Sequence, residues 1–209
     1  SSDLADMLFS HALSPNAFSS YIEAPVFTNY YSLIQGKAQL NTTTTNILSN
    51  TWKYNDVIRG LFGNLGLSYS RTSNLPLYES VFEDGFYKSR ASQHTSHNTS
   101  TSISGGIGKS IGWGKASIEL NASASNTKYQ LLIAKEVVDF TRRDLSTGIA
   151  IAYHPWEVFS IEHKSSYNTS ARKGKNHVLF NNRQSFLHHR LRLYFLPGKW
   201  QMELSNELF

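Results

Sequence analysis

The eight histidines are the residues with the widest chemical range in this sequence, because imidazole can bind metals or transfer protons near neutral pH. His94 and His97 are three residues apart, and an extended strand would direct them to opposite faces. The adjacent His188 and His189 diverge in the same way. No third ligand stands at metal-binding spacing, and cysteine is absent. The sequence therefore predicts no metal and no cofactor.

Serine is the other candidate for catalysis, since a Ser–His pair on the rim of a barrel could cleave lipids. His163 and Ser165 share one face of a predicted strand, but serine is so common here that the pair carries little information. Gly105-Gly106-Ile107-Gly108 precedes a turn, not a helix, so it does not match a phosphate-binding loop. We predict that the chain is not an enzyme.

Charged residues are stronger candidates for a binding role. Five of them fall on the polar sides of predicted strands, where they form a charge ladder along a wet interior or contact a plug or solute: Glu119, Glu162, Lys164, Arg190 and Arg192. A second group, Arg172, Lys173 and Lys175, crowds the predicted loop 171–177. Cations there could pair with lipopolysaccharide phosphates.

Aromatic residues occupy two kinds of connection. A predicted long insertion, 71–91, holds four candidates for ligand contact: Tyr78, Phe82, Phe86 and Tyr87. Three tight turns each carry a tryptophan: Trp113, Trp156 and Trp200. These tryptophans predict an aromatic girdle at a membrane surface. The alternative is a hydrophobic cluster that caps a soluble barrel.

The elements that must position these residues are strands, because the dominant pattern has a period of two. In 115–125, Ala116, Ile118 and Leu120 alternate with Ser117 and Glu119. Comparable runs follow near 145–153, 187–195 and 200–208. Successive side chains of a strand point to opposite sides, so each run predicts one apolar face and one polar face.

The composition restricts the class of protein. Ser, Thr and Asn make up 28% of the 209 residues, while charged residues make up 17%. Aromatic residues, at 13%, exclude intrinsic disorder. No run of 18 apolar residues predicts a transmembrane helix. The net charge of +5 is scattered, so nucleic acid is not an expected partner.

Long strands that are apolar on one face and rich in Ser, Thr and Asn on the other are typical of transmembrane β-barrels. We therefore predict an all-β fold, an antiparallel transmembrane β-barrel or part of one. Short periplasmic turns alternate in this prediction with longer extracellular loops at 71–91, 126–138 and 171–177. The alternative is a soluble β-barrel or sandwich that binds an apolar ligand.

Several segments resemble the barrel of TonB-dependent outer-membrane receptors of the Bacteroidetes type. They are Asp56-Val-Ile-Arg-Gly, Gly66-Leu-Ser-Tyr-Ser, Glu83-Asp-Gly-Phe-Tyr-Lys-Ser-Arg-Ala-Ser, Asn98-Thr-Ser-Thr-Ser-Ile-Ser-Gly, Ser110-Ile-Gly-Trp-Gly-Lys and Leu120-Asn-Ala-Ser. The resemblance covers about 150 residues from about position 50 onward. It implies transport, namely import of a siderophore, vitamin or glycan across the outer membrane. It also implies a plug domain, TonB and outer-membrane lipid as partners.

The sequence departs from that family because it shows no plug-like segment and no TonB box. We predict an unassigned lead-in at 1–28 and a barrel segment of about eight strands at 29–209. Phe209 is in phase with the polar Glu203, Ser205 and Glu207, unlike the usual terminal aromatic residue of such barrels. We therefore expect a segment of a larger receptor. The alternative is a complete small barrel with a structural, adhesion or lipid-modifying role.

Overall fold

The computed structural model describes residues 2–15, 26–35, 42–83, 85–112, 115–133, 135–156, 159–175, 177–195 and 202–208. Within these ranges the chain forms strands and turns, and no helix. The strands are β1 (Ser2–Pro15), β2 (Val26–Asn29), β3 (Ser32–Gln35), β4 (Thr42–Asp56), β5 (Leu61–Glu83), β6 (Phe86–Ile111), β7 (Ala116–Ile133), β8 (Glu136–Trp156), β9 (Phe159–Gly174), β10 (His177–Phe195) and β11 (Met202–Leu208). The predicted all-β class is confirmed.

One antiparallel sheet contains most of the strands, in the order β1-β4-β5-β6-β7-β8-β9-β10-β11. The β2–β3 hairpin is attached beside it, because β3 pairs in parallel with β6, with Ser32 opposite Tyr87. The backbone N–H of Tyr87 also donates to the carbonyl of Tyr31 at 2.8 Å. In the described registers β1 pairs with β4 and β11 pairs with β10, so the sheet is open at these two edges.

The connections of the main sheet divide between its two ends. Those of β4–β5, β6–β7, β8–β9 and β10–β11 lie at one end, which we call the turn end. Those of β5–β6, β7–β8 and β9–β10 lie at the opposite end, which we call the extended end. The longest strands, β5 with 23 residues and β6 with 26, meet there.

Paired strands form the extended end where the sequence predicted loops. β5 continues to Glu83 and β6 begins at Phe86, so most of the predicted insertion 71–91 belongs to a hairpin. The segments 126–138 and 171–177 also lie mainly in strands. The prediction of long loops is therefore wrong for the described residues. Backbone hydrogen bonds do not depend on side-chain polarity, so the ladder continues after the apolar alternation ends.

The first strand lies within the predicted lead-in. Leu4–Leu13, which could not be assigned from the sequence, belongs to β1 and pairs with β4, with Phe9 opposite Leu48. Apolar residues stand at both odd and even positions of β1, such as Met7 and Leu8, so its alternation is hidden. The described residues form eleven strands, of which nine, β3 to β11, lie wholly within 29–209, where the sequence predicted about eight.

The β4–β5 turn is fixed by the chemistry of one carboxylate. Asp56 Oδ1 accepts hydrogen bonds from the backbone N–H groups of Ile58 and Arg59, both at 3.1 Å. The bond from the Arg59 backbone is the main cause of the lowered pKa of Asp56. Gly60 completes the turn with a φ of 64° and accepts a hydrogen bond from Ser110 N at 2.7 Å.

The sheet has almost no core. Its accessible surface is 14804 Å², whereas a compact monomer of 23.6 kDa would expose about 9,800 Å². The buried apolar residues of the described chain are Leu77, Val138 and Phe140, all toward the extended end. The Phe140 ring stacks on Tyr129 with centroids 5.6 Å apart, and the Arg172 guanidinium lies 5.7 Å from its centroid. Most side chains therefore pack only against neighbours within the same sheet.

Gly60→Ala is expected to lower the free energy of unfolding more than Gly85→Ala. Both glycines have positive φ, 64° and 81°, which costs other residues about 1–2 kcal/mol. A Cβ on Gly60 would also lie 2.3 Å from the Ser110 carbonyl oxygen, whereas nothing lies within 4 Å of a Cβ on Gly85. Urea unfolding followed by tryptophan fluorescence measures both losses. Equal losses would mean that the turn shifts away from Ser110 at no cost.

Candidate functional site

The antiparallel register gathers the apolar alternates of neighbouring strands on one side of the sheet, which we call the apolar face. Leu120 of β7 pairs with Ile107 of β6 and Ile149 of β8, and Ile118 pairs with Ile151. Nine-residue stretches of six strands contribute their alternate residues to a mainly apolar band, which also contains Lys109, His163, Ser165 and His189. The stretches are Leu61–Tyr69, Ile103–Ile111, Ala116–Ala124, Leu145–Tyr153, Phe159–Tyr167 and Leu187–Phe195.

The apolar face is the more exposed of the two faces. In β5, Leu65, Leu67 and Tyr69 expose 41%, 40% and 41% of their surface, while the intervening Gly66 and Ser68 are half-buried. Strand β8 alternates in the same sense between positions 144 and 147. Side chains on the inner side of a curved sheet converge and shield one another. The difference in exposure therefore indicates that the sheet curves toward its polar face.

The polar face is built of small residues across the middle strands. One register row runs Asn64, Gly106, Asn121 and Gly148 across β5 to β8. A Cβ on Gly148 would lie 2.6 Å from Asn121 Oδ1, so the asparagine amide occupies the space above that glycine. The next row toward the extended end, Gly66–Ser104–Ser123–Ser146, is equally small. Such side chains leave the inner side of the curved sheet open.

All five predicted interior charges lie on the polar face. Glu162 pairs with Arg192 across β9 and β10, and Lys164 pairs with Arg190 in the adjacent row. These four residues form a block with three cations and one carboxylate, which we call the charged block. On its β11 side Arg190 pairs in register with Glu207. Arg192 Nη1 also donates to Tyr194 Oη at 3.3 Å.

Glu119 lies in the same register row as Lys164 and Arg190, but it is two strands from Lys164. It pairs with Gly108 on one side and Ala150 on the other. The structure therefore unites four of the five candidates and leaves Glu119 between small neighbours.

The predicted ligand-contact aromatics lie on the β5–β6 hairpin near its tip. Phe82 and Tyr87 are cross-strand partners with ring centroids 4.9 Å apart. Phe86 meets Phe27 of the attached β2–β3 hairpin edge-on, with centroids 5.9 Å apart. Tyr78 lies further along β5, away from the tip. The candidates therefore form two aromatic pairs that brace the hairpin, and Tyr78 stands apart from them.

Of the three predicted girdle tryptophans, Trp156 lies within the described residues, at the turn end, and exposes 68% of its surface. Its ring centroid lies 6.2 Å from that of Phe159. Trp113 and Trp200 lie outside the described residues. Other aromatic residues mark both edges of the apolar band: Tyr153, Phe159 and Phe195 at the turn end, and Tyr69 and Tyr167 at the opposite edge. The predicted girdle included only tryptophans at turns and therefore did not include these positions.

The histidines do not form a metal site in the part of the chain that the structure describes, where no group of three His, Cys, Asp or Glu residues could hold an ion. His163 and His189 stack with ring centroids 6.0 Å apart. Ser165 pairs with His189, so the predicted His163–Ser165 pair lies on the apolar face. Neither pairing adds a carboxylate or amide to complete a catalytic triad.

Cations continue the apolar face beyond its band at the extended end. Two register rows place them there: Arg71, Lys128 and Lys173 in one row, and Arg143 and Arg183 in the row next to the band. Each is exposed. Arg172, grouped with Lys173 in the sequence, lies on the opposite face over Phe140. If the period-two alternation had been continued from Leu145 toward lower residue numbers, the sequence would have placed Arg143 on the apolar face.

No protein-family model, curated protein or solved structure matches this chain. In the ranges that the structure describes, no helix is long and apolar enough to cross a membrane. Function is therefore inferred from the geometry and chemistry of the two faces of the sheet.

Lys164→Glu is expected to raise the free energy of unfolding by about 0.2–1 kcal/mol, because it replaces a like-charge pair with Arg190 by an opposite-charge pair. Glu162→Lys should lower it by a similar amount, because it sets a second cation opposite Arg192. Urea titration at low and high salt measures both, and salt should shrink both differences. Changes of the same sign in the two variants would contradict the register of the charged block.

Proposed function

We propose that this chain forms part of the wall of a transmembrane β-barrel in a bacterial outer membrane. In this proposal the barrel takes part in moving a solute across that membrane. The observation that supports the proposal is that the apolar face of the curved sheet is more exposed than its polar face. Leu65, Leu67 and Tyr69 stand on its more exposed face, while Gly66 and Ser68 stand on the less exposed face. A water-soluble barrel or sandwich requires the reverse, with its apolar face inside.

Lipid is the solvent that stabilises such an arrangement. Each buried square ångström of apolar surface is worth about 25 cal/mol, so a band of exposed Leu, Ile and aromatic side chains is unfavourable in water. In a bilayer the same band is already in an apolar environment. The band is nine residues tall in each of six strands. Membrane-spanning strands need about 9–11 residues when they are tilted.

The aromatic residues at the band edges support the same proposal. Tyr and Trp favour the interface between lipid and water, because their rings are apolar while their polar atoms remain wet. Tyr153 and Tyr69 stand at opposite edges of the apolar band, and Trp156 lies just beyond the edge at the turn end. An apolar face built to bind a small ligand would not need aromatic rows at both limits.

A bilayer also sets a requirement for the two open edges. Unpaired backbone N–H and C=O groups cost several kcal/mol each in lipid, so a spanning sheet must close. The proposal therefore requires a partner strand for β1 and another for β11. The two edges could pair with each other or with further strands of a larger barrel.

Transport is the role that the polar face supports best. In a narrow barrel of about eight strands, side chains fill the interior. The rows of Gly, Ser and Asn described above are too small to do so, and they suit a wide interior that holds water, a solute or a plug. The charged block would place three cations and one carboxylate on that interior. The proposal includes no catalytic step.

The resemblance to TonB-dependent receptors supplies the more specific part of the proposal. By that resemblance the barrel imports a siderophore, vitamin or glycan, with a plug domain and TonB as partners. The charged block offers cations to an anionic solute or to carboxylates of a plug. The β5–β6 hairpin, with its two aromatic pairs, would stand outside the membrane at the cell surface.

Spin labels at 118, 119, 120 and 121 in β7 test the orientation of the faces. The chain has no cysteine, so each introduced cysteine carries the single label. In lipid vesicles we expect labels at Ile118 and Leu120 to be relaxed by oxygen, and labels at Glu119 and Asn121 by a water-soluble nickel complex. Uniform accessibility, or the opposite alternation, would contradict the proposal.

Leu120→Arg is expected to lower the free energy of unfolding in lipid by about 2–4 kcal/mol, because it places a charge on the lipid-facing side near mid-band. Ser123→Arg is the matched control, since Ser123 lies in the same strand on the polar face. It should cost much less. Urea titration of the chain in vesicles measures both. A loss at Ser123 as large as that at Leu120 would argue against lipid on the apolar face.

A further inference from the structure

Two recesses lie side by side on the apolar face, where its band ends toward the extended end. The first has a volume of about 620 Å³. Leu67, Ile103 and Leu145 line the part of this recess that adjoins the apolar band. Arg143 and Arg183 line the part toward the extended end. One cavity therefore joins the apolar band to two guanidinium groups.

The second recess lies further toward the extended end, has a volume of about 480 Å³ and shares Arg143 with the first. Lys128, Lys173 and Lys175 contribute its cations. Cationic character thus continues from one recess into the next, in the direction away from the apolar band.

The register fixes the spacing of these cations. Lys128 and Lys173 flank Thr141 in one row, and Arg143 and Arg183 flank Ala171 in the adjacent row. Neighbouring strands are about 4.8 Å apart, so the backbones of the two residues in each row are about 10 Å apart. Long side chains from positions at that distance can converge on one phosphate or hold two phosphates separately.

We propose that the two recesses bind a lipid with phosphate groups in its head, whose acyl chains lie along the apolar band. Arg143 and Arg183 would contact the phosphate nearest the membrane, because guanidinium groups form paired hydrogen bonds to phosphate oxygens. Lys128 and Lys173 would neutralise the more distant part of the head group. This inference rests on the proposed function, since the surrounding bilayer supplies the lipid.

The carboxylates near the recesses do not cancel this charge. Asp139, in the second recess, accepts a hydrogen bond from Gln130 Nε2 at 2.8 Å and lies 4.0 Å from Lys175 Nζ. The negative charge of Asp139 is therefore balanced by the nearby ammonium group of Lys175. Asp144, at the margin of the first recess, accepts a hydrogen bond from Arg142 Nε at 2.9 Å. Lys128, Arg143, Lys173 and Arg183 remain in excess.

A lipid fits the recesses better than a free anion. The part of the first recess that adjoins the apolar band offers apolar side chains, which contribute nothing to the binding of inorganic phosphate. Apolar and cationic parts also follow one another along the strand direction, in the order in which acyl chain and head group follow one another across a membrane leaflet. The arrangement matches the outer leaflet if the extended end faces the cell surface.

The test compares the affinity of the refolded full chain, in detergent micelles, for diphosphorylated lipid A and for the same lipid without phosphates. Arg143→Gln/Arg183→Gln should weaken binding of the phosphorylated lipid at least roughly tenfold and leave the other affinity unchanged. Lys53→Gln/Lys115→Gln is the matched control, because it removes two charges that line neither recess and lie outside the apolar band. The control should bind like the parent chain.

Arg143→Lys/Arg183→Lys is the control for loss of the fold. It keeps both positive charges, so it should retain most of the affinity for the phosphorylated lipid. Equal affinity for the two lipids, or an equal loss in the control, would overturn the inference. Displacement of the lipid by millimolar inorganic phosphate would also overturn it, in favour of a site for the free anion. With the spin-label alternation intact, these results would leave the proposed function standing.

Discussion

Register is the constraint on which the rest of the structure depends. A slip of one residue between strands would exchange the two faces, because successive side chains point to opposite sides. In β7 such a slip would put Glu119 where Leu120 stands, against Ile149. The sheet has hardly any core, so packing between layers cannot correct the error. Instead the ladder of β7 and β8 runs without a shift from Ala116 opposite Tyr153 to Ile133 opposite Glu136, and its length fixes the faces.

Curvature follows from the sizes of the residues that the register brings together. A sheet can bend toward one face only if the side chains there are small or lie over gaps in the neighbouring strand. On the polar face Asn121 covers Gly148, and the Phe62 ring occupies the place of a side chain at Gly108, where a Cβ would lie 2.3 Å from it. On the apolar face, large residues such as Leu120 and Ile149 stand side by side and spread apart. The same residues therefore determine which face is polar and which way the sheet bends.

Much of this arrangement could be predicted from the sequence, because apolar and polar residues that alternate over nine or more positions indicate a strand with one apolar face and one polar face. The faces of β7, β8 and β10 agree with the predicted ones, and the five predicted interior charges share a face. The extended end could not be predicted, because its strands follow polar sequence and are held by backbone hydrogen bonds that no side-chain pattern reports. β1 was hidden for another reason, since Leu8 and Phe9 are adjacent and apolar on both faces. Arg143 was overlooked because it lies between the predicted loop 126–138 and the alternating run that begins at Leu145, and it was assigned to neither.

The character of the apolar face changes along the strands, and the change falls at one level in neighbouring strands. On the apolar face of β8, Arg143 is followed by Leu145, and on β5 Tyr69 is followed by Arg71. On the polar face Asp144 and Ser146 are both hydrophilic at that level, and apolar side chains begin only at Phe140, further toward the extended end. The backbone ladder is continuous across the same level, so the fold itself does not create the boundary. A soluble sheet would keep each face constant along the strand, because each face meets one medium. A face that changes from apolar to cationic within two residues, while the other face is hydrophilic at the same level, is the pattern that the proposed function requires, with lipid covering part of one side and water covering the rest.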